Sequence, residues 1–290
     1  MKLNKLCVIG VGLIGGSFAL KLKQLGLVEK VVGYGRNRDN LQTAVDMGVI
    51  DHAAESLQAA VEGADLVVLA VPIASIAEIY AQIYPHLSSD TLVTDVGSAK
   101  TSVIESVQRA LGEMPPNFVP GHPIAGREKS GVEAVEADLY QNHRVILTPL
   151  EKTNKQAVQT VRELWQAVGA EVTEMSSRFH DEVFAATSHL PHMLAFALVD
   201  MLNEHSELGN VFQYTAGGFR DFTRIASSDA TMWRDIAVNN GDAIVKWIEE
   251  YQRELSKLSA LISDKNADAL FELFSDAKAA RDKHIVKRKP

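Results

Sequence analysis

The chain has 290 residues, 46% of them hydrophobic, with a formal net charge of -8 and a single cysteine. That length gives room for two domains with real cores, and the acidic balance argues against a nucleic-acid partner. One cysteine excludes an intramolecular disulfide framework, and no apolar run approaches bilayer-spanning length, so a cytoplasmic protein without a membrane partner is expected.

In chain order, apolar runs predict strands at Leu6–Gly10, Lys30–Tyr34, Leu66–Val71, Thr91–Asp95, Phe118–Pro120, Arg144–Thr148 and Glu171–Met175. Between them, helical periodicity predicts helices at Gly15–Leu25, Arg38–Met47, Ser56–Val61, Ile73–Tyr84, Thr101–Leu111 and Lys155–Val168. Strands alternating with helices imply an α/β fold: a Rossmann-like, doubly wound, mostly parallel sheet over residues 1–175. From Ser176 the pattern turns helical: Phe179, Val183, Leu194, Leu198 and Met201 recur at helical spacing, as do Trp233, Ile236, Ile244, Ile248, Tyr251, Leu255 and Leu258. An all-α domain over 176–290 is expected, interrupted at Pro191 and at Gly217-Gly218. Its apolar stripes exceed what a small bundle needs, which predicts a homodimer interface. The basic end, Lys283 to Pro290, reads as a solvated terminus.

The segment Val8-Ile9-Gly10-Val11-Gly12-Leu13-Ile14-Gly15 has G-x-G-x-x-G spacing between a strand and a helix. Gly10 permits the tight turn, Gly12 lets the backbone approach a pyrophosphate, and Gly15 lets helix and strand pack closely. The pyrophosphate would rest on the helix N-terminus formed by Leu13 and Ile14. An acidic residue ending the second strand would bind the ribose hydroxyls of NAD, but here Gly35 stands in its place with Arg36 after it. Loss of the acid and gain of a guanidinium favour NADP over NAD.

Two further strand ends carry polar groups: Asp95-Val96-Gly97-Ser98-Ala99-Lys100 and Gly121-His122-Pro123. Ligands of such sheets bind beyond the carboxyl ends of the strands, so Ser98 and His122 fall where chemistry would occur. Histidine suits the removal of an alcohol proton, and Ser98 could orient its ring. On spacing alone, a structural loop histidine is an equal alternative. His189 and His192 share a helical face, but no further ligands at suitable spacing accompany them, so no metal site is expected.

These blocks, with Glu128-Lys129-Ser130-Gly131, Ser188-His189-Leu190-Pro191-His192, Gly217 to Ala226 and Met232-Trp233-Arg234-Asp235, resemble the prephenate/arogenate dehydrogenases of tyrosine biosynthesis. The resemblance runs in order across nearly the whole chain. It implies a dinucleotide-binding domain, a helical dimerisation domain, and oxidative decarboxylation of a cyclohexadienol, prephenate or arogenate. It also implies that His122 is the catalytic histidine with Ser98 its partner, and that Arg224 binds the ring carboxylate. His189, His192 and Trp233 would line the substrate pocket. His192 favours prephenate, whose keto group or carboxylate it could meet. The sequence departs from the family at Gly35 and at Arg127, where relatives carry a small or hydroxylated residue.

Two rivals remain at this point. A β-hydroxyacid dehydrogenase would need a helix-borne lysine, and none occurs between Lys155 and Lys246. A dinucleotide sensor would not require His122, Ser98 or an anion-binding arginine.

Overall fold

Six parallel strands form the main sheet of the computed structural model, which describes residues 2–126, 131–205 and 209–285. They are β1 (Leu3–Ile9), β2 (Val28–Tyr34), β3 (His52–Ala53), β4 (Leu66–Leu69), β5 (Leu92–Asp95) and β6 (Phe118–Val119), in the order β3-β2-β1-β4-β5-β6. Helices α1 (Leu13–Gln24), α2 (Arg38–Asp46), α3 (Leu57–Val61), α4 (Ile73–Ile83) and α5 (Thr101–Leu111) make the crossovers. In β4 all four residues are buried apolar groups, the pattern of a parallel strand covered on both faces. Local chemistry sets the helix ends: Asn37 and Ser56 accept from Asn40 N and Ala59 N, and Gly112 closes α5 with a left-handed φ of 78°. Strand β1 pairs with β2 on one side and β4 on the other. The chain order therefore reverses beside β1, opening a crevice above its carboxyl end.

A single sheet was expected, and here the fold differs. Strands β7 (Gly121–Ile124), β8 (Arg144–Leu147) and β9 (Glu171–Glu174) form a separate three-stranded sheet, with β7 antiparallel to β8. His122 thus lies within a strand opposite Ile146, not on a loop. Pro120, which has no N–H to donate, separates β6 from β7, and its carbonyl accepts from Thr148 N at 2.9 Å. Pro123 is tolerated because β7 is an edge strand. Helix α6 (Lys155–Ala167) joins β8 to β9, and its Trp165 packs against Phe18 of α1 and against Tyr140 at ring distances of 4.2 and 5.0 Å.

Helix α7 (Ser177–Phe184), a wide π turn (Ala185–His189) and α8 (Leu190–Glu204) follow without a gap. Pro191 therefore does not interrupt the rod. The residues before Pro191, His189 and Leu190, keep right-handed helical dihedrals straight out of the π turn. Gly217-Gly218 does mark a boundary, opening α9 (Gly217–Thr223), and α10 (Ala230–Asn239) comes next. Among the described residues no strand follows β9.

By their contacts, residues 1–241 form one compact unit. A second unit, 242–290, contains almost all of α11 (Gly241–Ser263) and all of α12 (Ala267–His284). No helix is long and apolar enough to cross a membrane among the described residues. Arg127 and Glu128-Lys129-Ser130, singled out in the sequence, lie outside the described residues, as do the last five residues of the basic terminus.

Candidate active site

At the end of β1 the backbone turns at Gly10, whose φ is 95°, and a Cβ there would lie 2.1 Å from the carbonyl oxygen of Ala70. At Gly15 a Cβ would meet Val8 and Ala70 at 2.7 and 2.8 Å, so only glycine lets α1 approach the sheet this closely. Gly12 is different: a Cβ would meet nothing within 4 Å. It opens α1 without a side-chain cap, leaving the first-turn N–H groups of Leu13 and Ile14 without helical partners. An uncapped N-terminus bordered by open space fits a dinucleotide pyrophosphate. Gly35 directly follows β2, beside this turn, and its nearest neighbour for a Cβ is Leu41 at an ordinary 3.8 Å. Arg36 is exposed, whereas Arg38 is engaged by the carbonyls of Ala54 and Glu55.

Beyond β5, a chain of buried polar groups leads to His122. Asp181, on α7, accepts the backbone N–H groups of Lys100 and Thr101 at 2.8 Å each. Its Oδ1 also meets His180 Nδ1 at 2.8 Å, and His180 Nε2 meets His122 Nδ1 at 2.8 Å. Phe184 packs on both rings, at 5.1 and 4.6 Å.

The chain fixes where the protons sit. Although burial pushes Asp181 upward, hydrogen bonds from His180 and Thr101 hold it below the usual carboxylate range. An ionised carboxylate only accepts, so His180 carries its proton on Nδ1 and presents a lone pair at Nε2. His122 must then donate from Nδ1, which leaves its own Nε2 as a lone pair. Burial, then the neighbouring His180 and Lys100, hold His122 well below the ordinary imidazole value. The ring is neutral at physiological pH and is oriented as a base.

A second cluster adjoins the first. Asn240, just after α10, donates its amide to the Asp181 carbonyl at 2.9 Å and to His189 Nδ1 at 3.1 Å. His189 therefore carries its proton on Nε2. His192 Nδ1 donates to the Ser188 carbonyl at 2.9 Å, and its ring stacks on Trp233 at 3.7 Å and 21°. His189 meets the same indole edge-on at 6.0 Å. Burial lowers the His192 pKa, and Arg224 is close enough to oppose protonation further. Trp233 Nε1 is buried with no hydrogen-bond partner. Two imidazoles against one indole, with a guanidinium near enough to act on His192, are chemistry that suits a polar, anionic ligand.

These buried neutral histidines make stability depend on pH. Burial lowers His189 to about 4, and His122 and His180 are lowered as well. In the unfolded chain each titrates near 6.5, so between pH 7 and 4 the unfolded state binds more protons. Folding stability is expected to fall as pH drops below about 6.5, with His189 alone contributing about 3 kcal/mol by pH 4. Thermal unfolding at pH 7.5 and 5 checks this; an equal Tm at both would contradict it.

Residues 18–174 match the family model described as prephenate dehydrogenase, nucleotide-binding domain, and residues 176–276 match prephenate dehydrogenase, dimerization domain. The chain belongs to the prephenate dehydrogenase family. It is 36% identical to the cyclohexadienyl dehydrogenase of Zymomonas mobilis over 95% of this chain and 94% of that one. It is 38% identical to the prephenate dehydrogenase of Bacillus subtilis, over 96% of this chain and 76% of that one. A crystal structure of prephenate dehydrogenase from A. aeolicus, in complex with hydroxyphenyl propionate and NAD+, superposes with a TM-score of 0.91 at 40% identity. That match covers 98% of this chain and 99% of that one.

Of the residues that the sequence singled out in this prephenate dehydrogenase fold, the structure brings His189, His192, Trp233 and Arg224 together. His122 joins the same network through His180, Asp181 and Asn240. Ser98 is half-buried on the loop after β5 and makes no hydrogen bond among the described residues. The His122 ring donates instead to His180, a residue that the sequence motifs did not single out, nor did they single out Asp181 or Asn240. A His-Asp pair opening a helix was the available signal, but nothing in its spacing tied it to a strand 58 residues away.

Proposed function

We propose that the protein catalyses the oxidative decarboxylation of prephenate with a nicotinamide cofactor, giving 4-hydroxyphenylpyruvate and carbon dioxide. One observation carries this reading: a neutral His122 whose Nδ1 is committed to His180, leaving Nε2 as the proton acceptor. The bound nicotinamide supplies the hydride acceptor, and Gly10, Gly12, Leu13, Ile14 and Gly15 would hold its pyrophosphate. His122 Nε2 takes the ring hydroxyl proton as the carbinol C–H bond breaks. The resulting charge passes toward His180 and is balanced by Asp181. The bond to the ring carboxylate then breaks, its electron pair completing the aromatic ring as carbon dioxide leaves, and the ring oxygen, now carrying the displaced pair, takes its proton back from His122.

Arg224 would hold that ring carboxylate until departure, with Trp233 as a wall. His189 Nε2–H and His192 would meet the side chain, the latter favouring prephenate over arogenate. Ser98 would contribute a hydroxyl to the substrate side of the site. The helical residues from Ser176 onward would carry substrate contacts and the dimer interface. Exposed apolar groups on α11 and α12, among them Leu255, Ile262, Phe271 and Phe274, support a homodimer, and the protein would act in the cytoplasm.

NADP is our preferred cofactor, on Gly35 and the exposed Arg36, although the A. aeolicus relative was crystallised with NAD+. A Cβ on Gly35 would make only ordinary contact, with Leu41 at 3.8 Å. G35D is expected to shift the NAD+/NADP+ ratio of kcat/KM about tenfold or more toward NAD+, by gaining a ribose bond and repelling the 2′-phosphate. An unchanged ratio would remove Gly35 from the choice.

Steady-state rates with prephenate and arogenate, each crossed with both cofactors, test the whole reading. Reduced nicotinamide should form with prephenate. A protein that bound cofactor yet formed none with either substrate would be a sensor, and the reading would fail.

A further inference from the structure

We propose that Lys100 is a positioning residue that holds the His122–His180 pair in register, with Asp95 as its counter-ion. The inference deepens the reading of His122 as a base and rests on it.

Lys100 is wholly inaccessible to solvent, a rare place for an ammonium group. Its Nζ donates to the Asp95 carboxylate and, at 2.8 Å, to the carbonyl of Gly121. Asp95 completes the grip: its Oδ1 accepts from Gly121 N at 3.1 Å, and its Oδ2 from Gly97 N at 2.8 Å. Both backbone groups of Gly121 are thus tied to one ion pair, one residue before His122. The approach is close, since a Cβ on Gly121 would lie 3.1 Å from the Asp95 carbonyl oxygen.

The same lysine also acts from the other side. Its backbone N–H donates to Asp181 Oδ1 at 2.8 Å, the same oxygen that accepts from His180 Nδ1. The side chain of residue 100 therefore fixes the strand bearing His122, while its main chain fixes the carboxylate that orients His180. The distance between the two imidazoles is set between these anchors. A buried ion pair adds little net stability over an apolar pair of equal volume. What it adds here is direction, because an apolar side chain fills space but cannot hold the Gly121 carbonyl.

The test uses the full-length protein with K100M, which keeps length and volume but cannot donate, and D95N, which keeps shape and loses the charge. In cofactor-free wild-type protein, the ring N–H shared by His122 and His180 should give a low-field proton resonance that is absent in H122N. K100M and D95N should each lose that resonance. Each should lower kcat with prephenate about 100-fold, the scale of a misplacement near 1 Å, while KM and the Kd for cofactor stay within about threefold. The proposal falls if the resonance persists, if kcat holds within about threefold, or if the loss lies in KM alone. Should K100M fail to fold, D95N decides by the same readings; should both fail, the pair serves stability and the proposal is wrong. The resonance reports on register without turnover, so an active H122N would overturn the base assignment while leaving the clamp separately testable.

Discussion

Replacing His122 with Asn is expected to lower kcat about 10³-fold while leaving cofactor affinity within about twofold. The asymmetry follows from placement. The glycine turn and the N-terminus of α1 lie on the main sheet, whereas His122 is carried by β7 of the second sheet. An amide at position 122 can still donate to His180, so packing around Phe184 changes little. What disappears is the lone pair at Nε2, and with it the acceptor for the hydroxyl proton. Single-turnover formation of reduced nicotinamide, alongside cofactor titration, checks both halves. Turnover within about threefold of wild type would exclude His122 as the base.

The site depends on two strategies that pull in opposite directions. Burial keeps His122, His180 and His189 neutral, which a base needs before reaction. Once the proton has moved, the same burial would penalise the imidazolium that forms. Asp181 resolves the conflict, because its charge sits at the far end of the relay, held by two backbone N–H groups at the start of α5. The carboxylate is satisfied before reaction and needs no reorganisation during it.

The parallel sheet was legible because its signals are local. Apolar runs such as Leu66–Leu69 and the glycines at 10, 12 and 15 carry their meaning within a dozen residues. Strand β7 was not legible. Gly-His-Pro-Ile has little strand propensity, and β7 exists because β8 pairs with it from more than 20 residues away. The relay was hidden for a related reason. His180 and His189 are nine residues apart, which on an α-helix of about 3.6 residues per turn would place them on opposite faces. The π turn at Ala185–His189 shifts that phase, so His180 reaches His122 while His189 still reaches Asn240. A strict helical period could not predict both contacts. His122, His189, His192 and Trp233 stood out through motif resemblance, but a resemblance names residues without saying which nitrogen holds which proton.

Proton placement makes Asp181→Asn the sharpest test of the relay, and kcat is expected to fall about 10²- to 10⁴-fold. The new amide has two orientations. With its oxygen toward His180, the ring order survives, but the amide NH2 faces the Thr101 N–H, and no charge remains to balance the protonated relay. With its NH2 toward His180, that ring must accept at Nδ1 and donate from Nε2. His122 is then forced to accept at Nδ1, its proton moves to Nε2, and the base is lost. Either outcome lowers the plateau rate. The pH profile separates this from a general loss of structure: Asp181 raises the His180 pKa, so removing its charge moves histidine titration to lower pH. The acid limb of kcat should therefore shift downward as the plateau falls. A variant with an unchanged plateau and an unchanged acid limb would show that the carboxylate takes no part, and the base would have to be oriented by something other than His180.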